Sequence, residues 1–376
     1  MSEFAAGPAG RIERVRTLMA ERGYDAIVVR DEANLRWLTG VKGVFDYTFE
    51  FPHAAFITVD QCLFHTDSRY LNSFEEKTPA GSPWVYDMDE GTIPGWVAGK
   101  IAANKCRVCA VEDDMQINFY QGIQRGLEDR SVACMLPLMH DDIRKMRAIK
   151  DAEEIELMRH AQSITDAAFQ HMLGFIKPGM TEKQVRNELE NFMFANGADS
   201  LAFGSIVASG PNTANPHAVP SDRVIEKGDF VLMDYGAGYC DYRSDMTRTV
   251  VMGEPTQEQL DLYALVRRTH EECVAAIHPG VEGNDIFKLS KKIIGDAGYG
   301  DYYNHGLGHG VGIDIHELPN FNRSKNTIEI GSVVTMEPGV YLPGVGGVRL
   351  EDYGVVTENG YEPFTKTPHD LHVIDC

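Results

Sequence analysis

Two segments of the sequence repeat one pattern, an apolar run that begins and ends at glycine and carries an acidic residue near its end. The first spans residues 228–236 and contains Asp234, and the second spans 331–339 and contains Glu337 at the matching position. Each is typical of a buried strand that ends in a carboxylate. Two buried strands can also share such a pattern by chance. If the repeat is real, it predicts a pseudo-duplicated α+β domain whose halves place their acidic strand ends around one centre.

A second acid follows each of these strands, Asp245 after the first and Glu351 after the other. If Asp234 lies opposite Asp245 in an antiparallel hairpin, their Cβ atoms are about 5 Å apart. When two buried carboxylates lie this close together, one of them must bind a proton unless a cation lies between them. A centre of two metal ions roughly 3.5–4 Å apart uses such acids as terminal and bridging ligands. For this pair alone, a strand-end aspartate and a turn cap remain the alternative.

Three histidines, His305, His309 and His316, lie in the glycine-rich segment 305–317. Its four glycines exclude a stable helix and therefore the helical HExxH zinc motif. Glycine lets a backbone pass close to a metal or ligand, and clustered imidazoles can supply one ligand with hydrogen-bond donors around it. A single histidine is ordinarily a surface or hydrogen-bonded core residue. The clustering favours His309 as a metal ligand.

Glu337 and Glu351 both lie in apolar sequences that predict burial. A buried glutamate is rarely left unpaired, so both are expected to have a partner. With the residues above they complete a set of four carboxylates and one imidazole. Such an oxygen-rich set suits two divalent ions such as Mn, Co or Zn, and the residues do not decide among them. In chain order the candidate ligands are Asp234, Asp245, His309, Glu337 and Glu351.

The remaining pattern predicts two domains, as expected for 376 residues. A helical stripe that starts near Ile12 and stops at Gly23, followed by short apolar runs, indicates a small α/β domain over 1–145. A long amphipathic stretch over 141–177 marks the change to the second domain, 146–376. A capping box that starts at Thr181 predicts another helix there.

Composition narrows the functional classes. The net charge of −21 would repel nucleic acid and anionic membrane surfaces. No apolar run reaches the roughly 18–20 residues that span a bilayer, and seven scattered cysteines do not resemble a disulfide framework. We therefore expect reduced thiols and a cytoplasmic protein. Cys106 and Cys109 have redox or zinc spacing without a second pair, which favours ordinary buried cysteines.

The order of these motifs resembles the pita-bread metallopeptidase family, which includes methionine aminopeptidase, aminopeptidase P and prolidase. In the catalytic half the resemblance rests on residues 203–210, 215–217, 234–236, 244–249, 305–317, 336–339 and 349–351. In the N-terminal half it rests on 24–28, 34–40 and 66–70, which are similar to the creatinase-type domain of the proline-specific branch. Methionine aminopeptidases lack that domain. The expected fold is therefore a pita-bread catalytic domain after a creatinase-like domain.

The resemblance also implies roles. All five candidate ligands match the family's positions, and Asp245 and Glu351 would bridge two divalent ions per subunit. Glu337 would act as the proton shuttle, while His217 and His316 would donate hydrogen bonds to the reacting amide or intermediate. The five ligands, together with His217 and His316, are the expected centre of the chemistry.

Two further residues are expected near the substrate. By resemblance, His305 would line the pocket of the leaving residue. Arg349 would orient Glu351 or meet a substrate carboxylate, and a solvated strand arginine is the alternative reading.

The leading functional prediction is a homodimeric peptidase that cleaves Xaa-Pro bonds, with a preference for dipeptides, as in prolidase. That preference rests on the short interval between Glu337 and Glu351, which resembles compact microbial prolidases. The alternatives are aminopeptidase P, a small-molecule hydrolase or lyase of the same fold, and a noncatalytic peptide-binding protein. The aromatic loop 44–52 could serve the dimer interface or the local core.

Overall fold

The computed structural model describes residues 7–45, 52–88 and 91–376, which form two compact units that divide between Arg147 and Ala148. The domain boundary predicted between residues 145 and 146 stays a prediction. Residues 46–51, the middle of the predicted aromatic loop, lie outside the described residues. None of the helices in the described part of the chain is both long enough and apolar enough to cross a membrane.

The first unit is a five-stranded mixed sheet with helices, as the sequence predicts. The sheet has the order β4-β3-β2-β1-β5, and β1 pairs antiparallel with β2 and parallel with β5. Its strands are β1 (Ala26–Val29), β2 (Ala54–Thr58), β3 (Cys62–His65), β4 (Val85–Asp87) and β5 (Cys109–Val111). Its helices are α1 (Gly7–Arg22), α2 (Glu32–Thr39), α3 (Leu71–Lys77), α4 (Ile93–Ala103), α5 (Ile117–Asp129) and α6 (Asp142–Arg147). Cys106 and Cys109 are buried free thiols, as expected.

The second unit contains four longer helices and fourteen strands within the described residues. The helices are α7 (Ala152–Phe175), α8 (Glu182–Ala195), α9 (Gln257–Ala275) and α10 (Gly283–Asp296), with 3-10 helices at Gly210–Ala214 and Gly300–Tyr302. The first eight strands are β6 (Ser200–Leu201), β7 (Ile206–Ser209), β8 (Phe230–Tyr235), β9 (Ala237–Tyr239), β10 (Tyr242–Arg243), β11 (Met246–Met252), β12 (Gly308–Gly310) and β13 (Glu317–Phe321). The others are β14 (Val333–Met336), β15 (Gly339–Leu342), β16 (Gly346–Arg349), β17 (Asp352–Thr357), β18 (Gly360–Pro363) and β19 (Val373–Ile374).

Two sheets of the second unit each carry one pair of helices, which is the duplicated arrangement expected from the sequence repeat. The sheet β19-β11-β8-β7 packs against α7 and α8 through side chains such as Phe169, Leu189 and Met233. The sheet β13-β12-β14-β17-β18 packs against α9 and α10, with Phe287 and Val334 in its core. The smaller sheets are β10-β9-β6 and β15-β16. The α+β class is confirmed.

The hairpin around the first acidic strand has a different register from the one expected. It is antiparallel as predicted, but Asp234 pairs with Thr247 rather than with Asp245. The turn explains this register, because Cys240 and Asp241 both have positive φ, at 47° and 72°, as a two-residue type I′ turn requires. A shift of two residues keeps side chains on the same face. Asp245 is therefore a diagonal neighbour of Asp234 on that face.

The second hairpin places its two acids opposite each other instead of diagonally, and it joins the first hairpin. Met336 pairs with Asp352, which places Glu337 and Glu351 next to each other just beyond the paired residues. A single β-bridge connects Thr247 of the first hairpin to Glu351 of the second. The two acidic strand ends therefore meet at one point of the second unit.

The amphipathic stretch predicted over 141–177 forms two helices instead of one continuous element. α6 ends at Arg147 and α7 begins at Ala152. Asp151 accepts from the Glu154 backbone N–H at 3.0 Å, and the Glu154 carboxylate accepts from the Asp151 N–H at 2.9 Å. This capping box starts a new helix, and the helix predicted after Thr181 begins with the same motif.

One buried carboxylate holds the loop that leads to the predicted catalytic His217. The Glu182 side chain is fully buried and accepts five hydrogen bonds. The donors are the N–H and hydroxyl groups of Ser209 and Ser221 and the side-chain amide of Asn212. Glu182 thus ties the start of α8 to both ends of the 209–221 segment.

We expect Glu182→Gln to lower the free energy of unfolding by about 2–4 kcal/mol, because the amide has one acceptor oxygen for donors that are buried. Urea denaturation followed by circular dichroism measures this loss. Glu188→Gln on the same helix is the matched control, since its half-exposed pair with His171 contributes less than about 1 kcal/mol. Equal losses in the two variants would contradict the role given to Glu182.

Candidate metal centre

The five predicted ligands lie on, next to or between six strands of the second unit. Asp234 is the fifth residue of β8, Asp245 directly precedes β11, and His309 is the central residue of β12. Glu337 follows β14, and Glu351 lies between β16 and β17. All five line one cavity of about 710 Å³ in the second unit.

The donor atoms of these side chains lie close enough together to coordinate the same metal ions. One donor atom from each of Asp245, His309 and Glu351 lies within 4.8 Å of the other two. The His309 Nε2 atom is 3.6 Å from a carboxylate oxygen of Asp245 and 3.6 Å from one of Glu337. The Thr247 hydroxyl donates to Glu351 at 2.7 Å and orients that carboxylate.

The carboxylates are buried together, and this raises their proton affinity. Burial, and then the charge of Glu351, holds the pKa of Asp245 well above its ordinary value. Burial and the neighbouring charge of Glu337 do the same for Glu351. Burial raises the pKa of Glu337 to about 8. Without cations Glu337 would therefore bind a proton near neutral pH, whereas divalent ions would favour the ionised form of all three carboxylates.

His309 presents one nitrogen to this set. Its Nδ1 atom lies 3.0 Å from the Gly310 carbonyl oxygen, which places the proton on Nδ1. The lone pair of Nε2 then faces Asp245 and Glu337. Burial lowers the pKa of His309 to about 4, so the imidazole is neutral at neutral pH, as a metal ligand must be.

The donor set fits divalent ions by its charge and by one unsatisfied atom. Within the described part of the chain, the only arginine in ion-pair contact with the four carboxylates is Arg349, through Asp234, so the ionised set carries an excess of negative charge. Among the described residues, no group hydrogen-bonds the buried Oδ1 atom of Asp234. A buried carboxylate oxygen without a partner costs free energy that a bound cation removes. The site therefore suits the two-metal centre that the sequence predicts.

Arg349 is buried, and its charged contact is with Asp234 rather than with Glu351. Its Nη2 donates to the Asp234 Oδ2 atom. Its Nε donates to the Thr247 hydroxyl at 3.1 Å, and Nη1 donates to the Tyr341 hydroxyl at 2.8 Å. At 3% exposure it is not a solvated strand arginine. It holds the Oδ2 atom of Asp234 and leaves the Oδ1 atom without a hydrogen-bond partner among the residues that the structure describes.

His305 forms part of the cavity wall with both ring nitrogens engaged. Its Nδ1 donates to the Gly306 carbonyl at 2.7 Å, and its Nε2 accepts from the Tyr341 hydroxyl at 3.0 Å. Burial lowers its pKa to about 3, so the ring is neutral. A chain of hydrogen bonds therefore runs from Arg349 through Tyr341 to His305.

His217 and His316 lie at the exposed part of the same cavity. The His316 ring contacts His309 edge to face, with centroids 4.3 Å apart. Its loop is held by Glu317, which accepts from the Asp314 N–H at 3.0 Å. Burial lowers the pKa of His316, which favours a neutral ring that can donate one N–H.

Sequence reasoning missed Tyr341 and Thr247, which orient Arg349 and Glu351. A signal for Tyr341 exists at Gly339, because a Cβ atom there would lie 2.4 Å from the Tyr341 hydroxyl. The Pro-Gly pair after Glu337 thus makes room for this hydroxyl. Other cavity residues that the sequence did not indicate include Arg186, Glu190, Val219, Asn320 and Asn322.

Comparison with known proteins gives the family. The model for metallopeptidase family M24 matches residues 156–358, and the Creatinase/Prolidase N-terminal domain matches 11–149. An Xaa-Pro dipeptidase of Pyrococcus furiosus is 43% identical over 61% of this chain and 67% of its own length.

Solved structures agree over nearly the whole chain. An Xaa-Pro dipeptidase from Bacillus anthracis is 36% identical with a TM-score of 0.89, and the match covers 98% of this chain and 100% of that one. An X-Pro aminopeptidase from Thermotoga maritima is 30% identical with a TM-score of 0.85, over 97% and 100% of the two chains. The expected pita-bread fold and creatinase-like domain are confirmed, and the chain belongs to metallopeptidase family M24, with divalent ions as its cofactors.

Proposed function

We propose that this protein is a dinuclear metallopeptidase that hydrolyses the Xaa-Pro bond of short peptides and acts mainly as an Xaa-Pro dipeptidase. The observation that carries the proposal is the complete set of four carboxylates and one imidazole in a single cavity. The dipeptidases of Pyrococcus furiosus and Bacillus anthracis, to which the chain is similar, support the substrate class. We further propose that the ions are Mn, Co or Zn and that the protein is cytoplasmic. We also propose a homodimer, whose mass can be measured by light scattering.

The roles of the residues follow from their positions. Divalent ions held by the five ligands would lower the pKa of a water molecule and polarise the scissile carbonyl. Glu337 then accepts the proton of the attacking water and passes it to the leaving proline nitrogen. His217 and His316 donate N–H groups to the developing oxyanion from the open side of the cavity. Arg349 keeps Asp234 oriented, and His305 packs against the leaving residue.

Aminopeptidase P is the second candidate, because the neighbour from Thermotoga maritima carries that activity in its name. The hairpin of β15 and β16 is short, with three residues between the strands. This compact connection favours the dipeptidase. A matched panel of Xaa-Pro, Xaa-Pro-Yaa and Xaa-Ala peptides, assayed with added Mn²⁺ or Co²⁺ and with a chelator control, tests the choice.

In that panel we expect metal-dependent cleavage of Xaa-Pro and little cleavage of the other two peptides, because the leaving-residue pocket is proposed to accept proline. Product release is measured by chromatography. Cleavage of Xaa-Pro-Yaa in preference to Xaa-Pro would assign an aminopeptidase. Cleavage of neither proline peptide would contradict the proposal and favour a small-molecule enzyme or a binding protein of this fold.

Asp245→Asn is expected to lower kcat by at least about 10³-fold, because the amide lacks the negative charge with which Asp245 would help to hold two divalent ions. Metal bound per chain, measured by mass spectrometry of the desalted protein, should fall in parallel. Asp261→Asn, an exposed position on α9, is the matched control and should change neither quantity. Near-normal turnover of Asp245→Asn in excess metal would defeat the two-metal mechanism.

The two histidine roles predict different kinetics. We expect His305→Ala to raise KM about tenfold with little change in kcat, since this ring packs against substrate. His316→Ala should lower kcat by about 10²-fold, since its N–H stabilises the transition state. Steady-state kinetics on one Xaa-Pro dipeptide separates them. The same KM and kcat pattern in both variants would refute the assignment.

A further inference from the structure

A second cluster of metal-binding side chains lies apart from the five ligands. It consists of His270 on α9, Asp352 at the start of β17, and His369 in the segment between β18 and β19. One donor atom from each residue lies within 4.8 Å of the other two. The Oδ2 atom of Asp352 is 2.5 Å from His369 Nε2 and 3.6 Å from His270 Nε2. We call this the His270–Asp352–His369 cluster.

The cluster lies behind the metal centre. Asp352 follows Glu351 in an extended chain, where successive side chains point to opposite faces. Glu351 lines the substrate cavity, whereas Asp352 does not. Of the three cluster residues, none lines that cavity.

The burial of His270 is not explained by its hydrogen bonds. The residue is 1% exposed, and neither of its ring nitrogens has a hydrogen-bond partner among the described residues. Buried polar atoms without partners are rare, because each costs about 1–3 kcal/mol. Asp352 is already satisfied by Arg248 and His369 without His270. A bound ion would give the His270 Nε2 atom a partner.

The surrounding charges select the class of ion. The Arg248 guanidinium donates to Asp352 Oδ1 at 2.7 Å, so Oδ2 alone is available to an ion. This positive charge disfavours Mg²⁺ or Ca²⁺, because these ions bind to several oxygen ligands by electrostatic attraction. Zinc binds strongly to imidazole nitrogen and accepts two histidines and one carboxylate in a tetrahedral site. The His369 side chain, which is 24% exposed, leaves an approach for water as a fourth ligand.

We propose that His270, Asp352 and His369 form an additional mononuclear site for zinc, separate from the two-metal centre. The ion connects α9, the start of β17 and the C-terminal segment, three elements that are distant in sequence. Because Asp352 is joined to Glu351 by one peptide bond, the ion also fixes the backbone beside a predicted bridging ligand. Its role is structural, and it does not depend on the peptide substrate.

The test compares zinc content in the wild type and in His270→Gln. Metal-free protein is saturated with Zn²⁺, desalted and analysed for zinc per chain. We expect His270→Gln to hold one zinc ion per chain fewer than the wild type. His278→Gln, an exposed histidine just beyond the same helix, should match the wild type. Equal zinc content in folded wild type and His270→Gln would overturn the proposal.

A second measurement keeps the test independent of folding and of the catalytic centre. If His270→Gln does not fold, His369→Gln gives the same comparison, since its side chain reaches the surface. In an Asp245→Asn background, we expect zinc that remains bound to show two imidazole ligands by X-ray absorption spectroscopy, and His270→Gln to remove that signature. Retention of the signature in the double variant would refute the site, whatever the peptide assays show.

Discussion

The burial of four carboxylates around one imidazole is the constraint on which the second unit depends. Like charges in a low-dielectric interior repel, and burial raises the pKa values of Asp245, Glu337 and Glu351. One buried guanidinium offsets only part of this charge. Divalent cations complete the balance, so the charge that opposes folding of the metal-free chain is the same charge that holds the ions.

Close backbone approach is how the fold brings these groups together. A Cβ atom at Gly236 would lie 1.9 Å from the Ser244 carbonyl oxygen, and one at Gly308 would lie 2.2 Å from that of Thr335. Both glycines let strands or turns beside the ligands pack without a side chain between them. The bridge between Thr247 and its partner on the second hairpin then joins the two halves. The site is thus a junction of two similar hairpins rather than a loop placed on one sheet.

Much of the architecture could be predicted from short patterns. The repeated acidic strands, the capping box at Thr181 and the glycine-rich histidine segment each specify local structure, and the described residues contain all three. The break between α6 and α7 was missed because the apolar spacing continues through it, while Asp151 caps a new helix. Tyr341 was missed because its hydroxyl contacts Arg349 and His305 only after three separate segments pack.

The sequence by itself determined the order and the local setting of the candidate ligands, because strand-end acids and glycine-bounded runs are patterns within a few residues of one another. Only the tertiary structure decided how they pair. The turn placed Asp234 opposite Thr247. Side-chain packing paired Arg349 with Asp234, and folding brought His270 beside Asp352. Each of these contacts joins residues that lie apart in the chain, and turn geometry and side-chain packing set their distances, which no local pattern records.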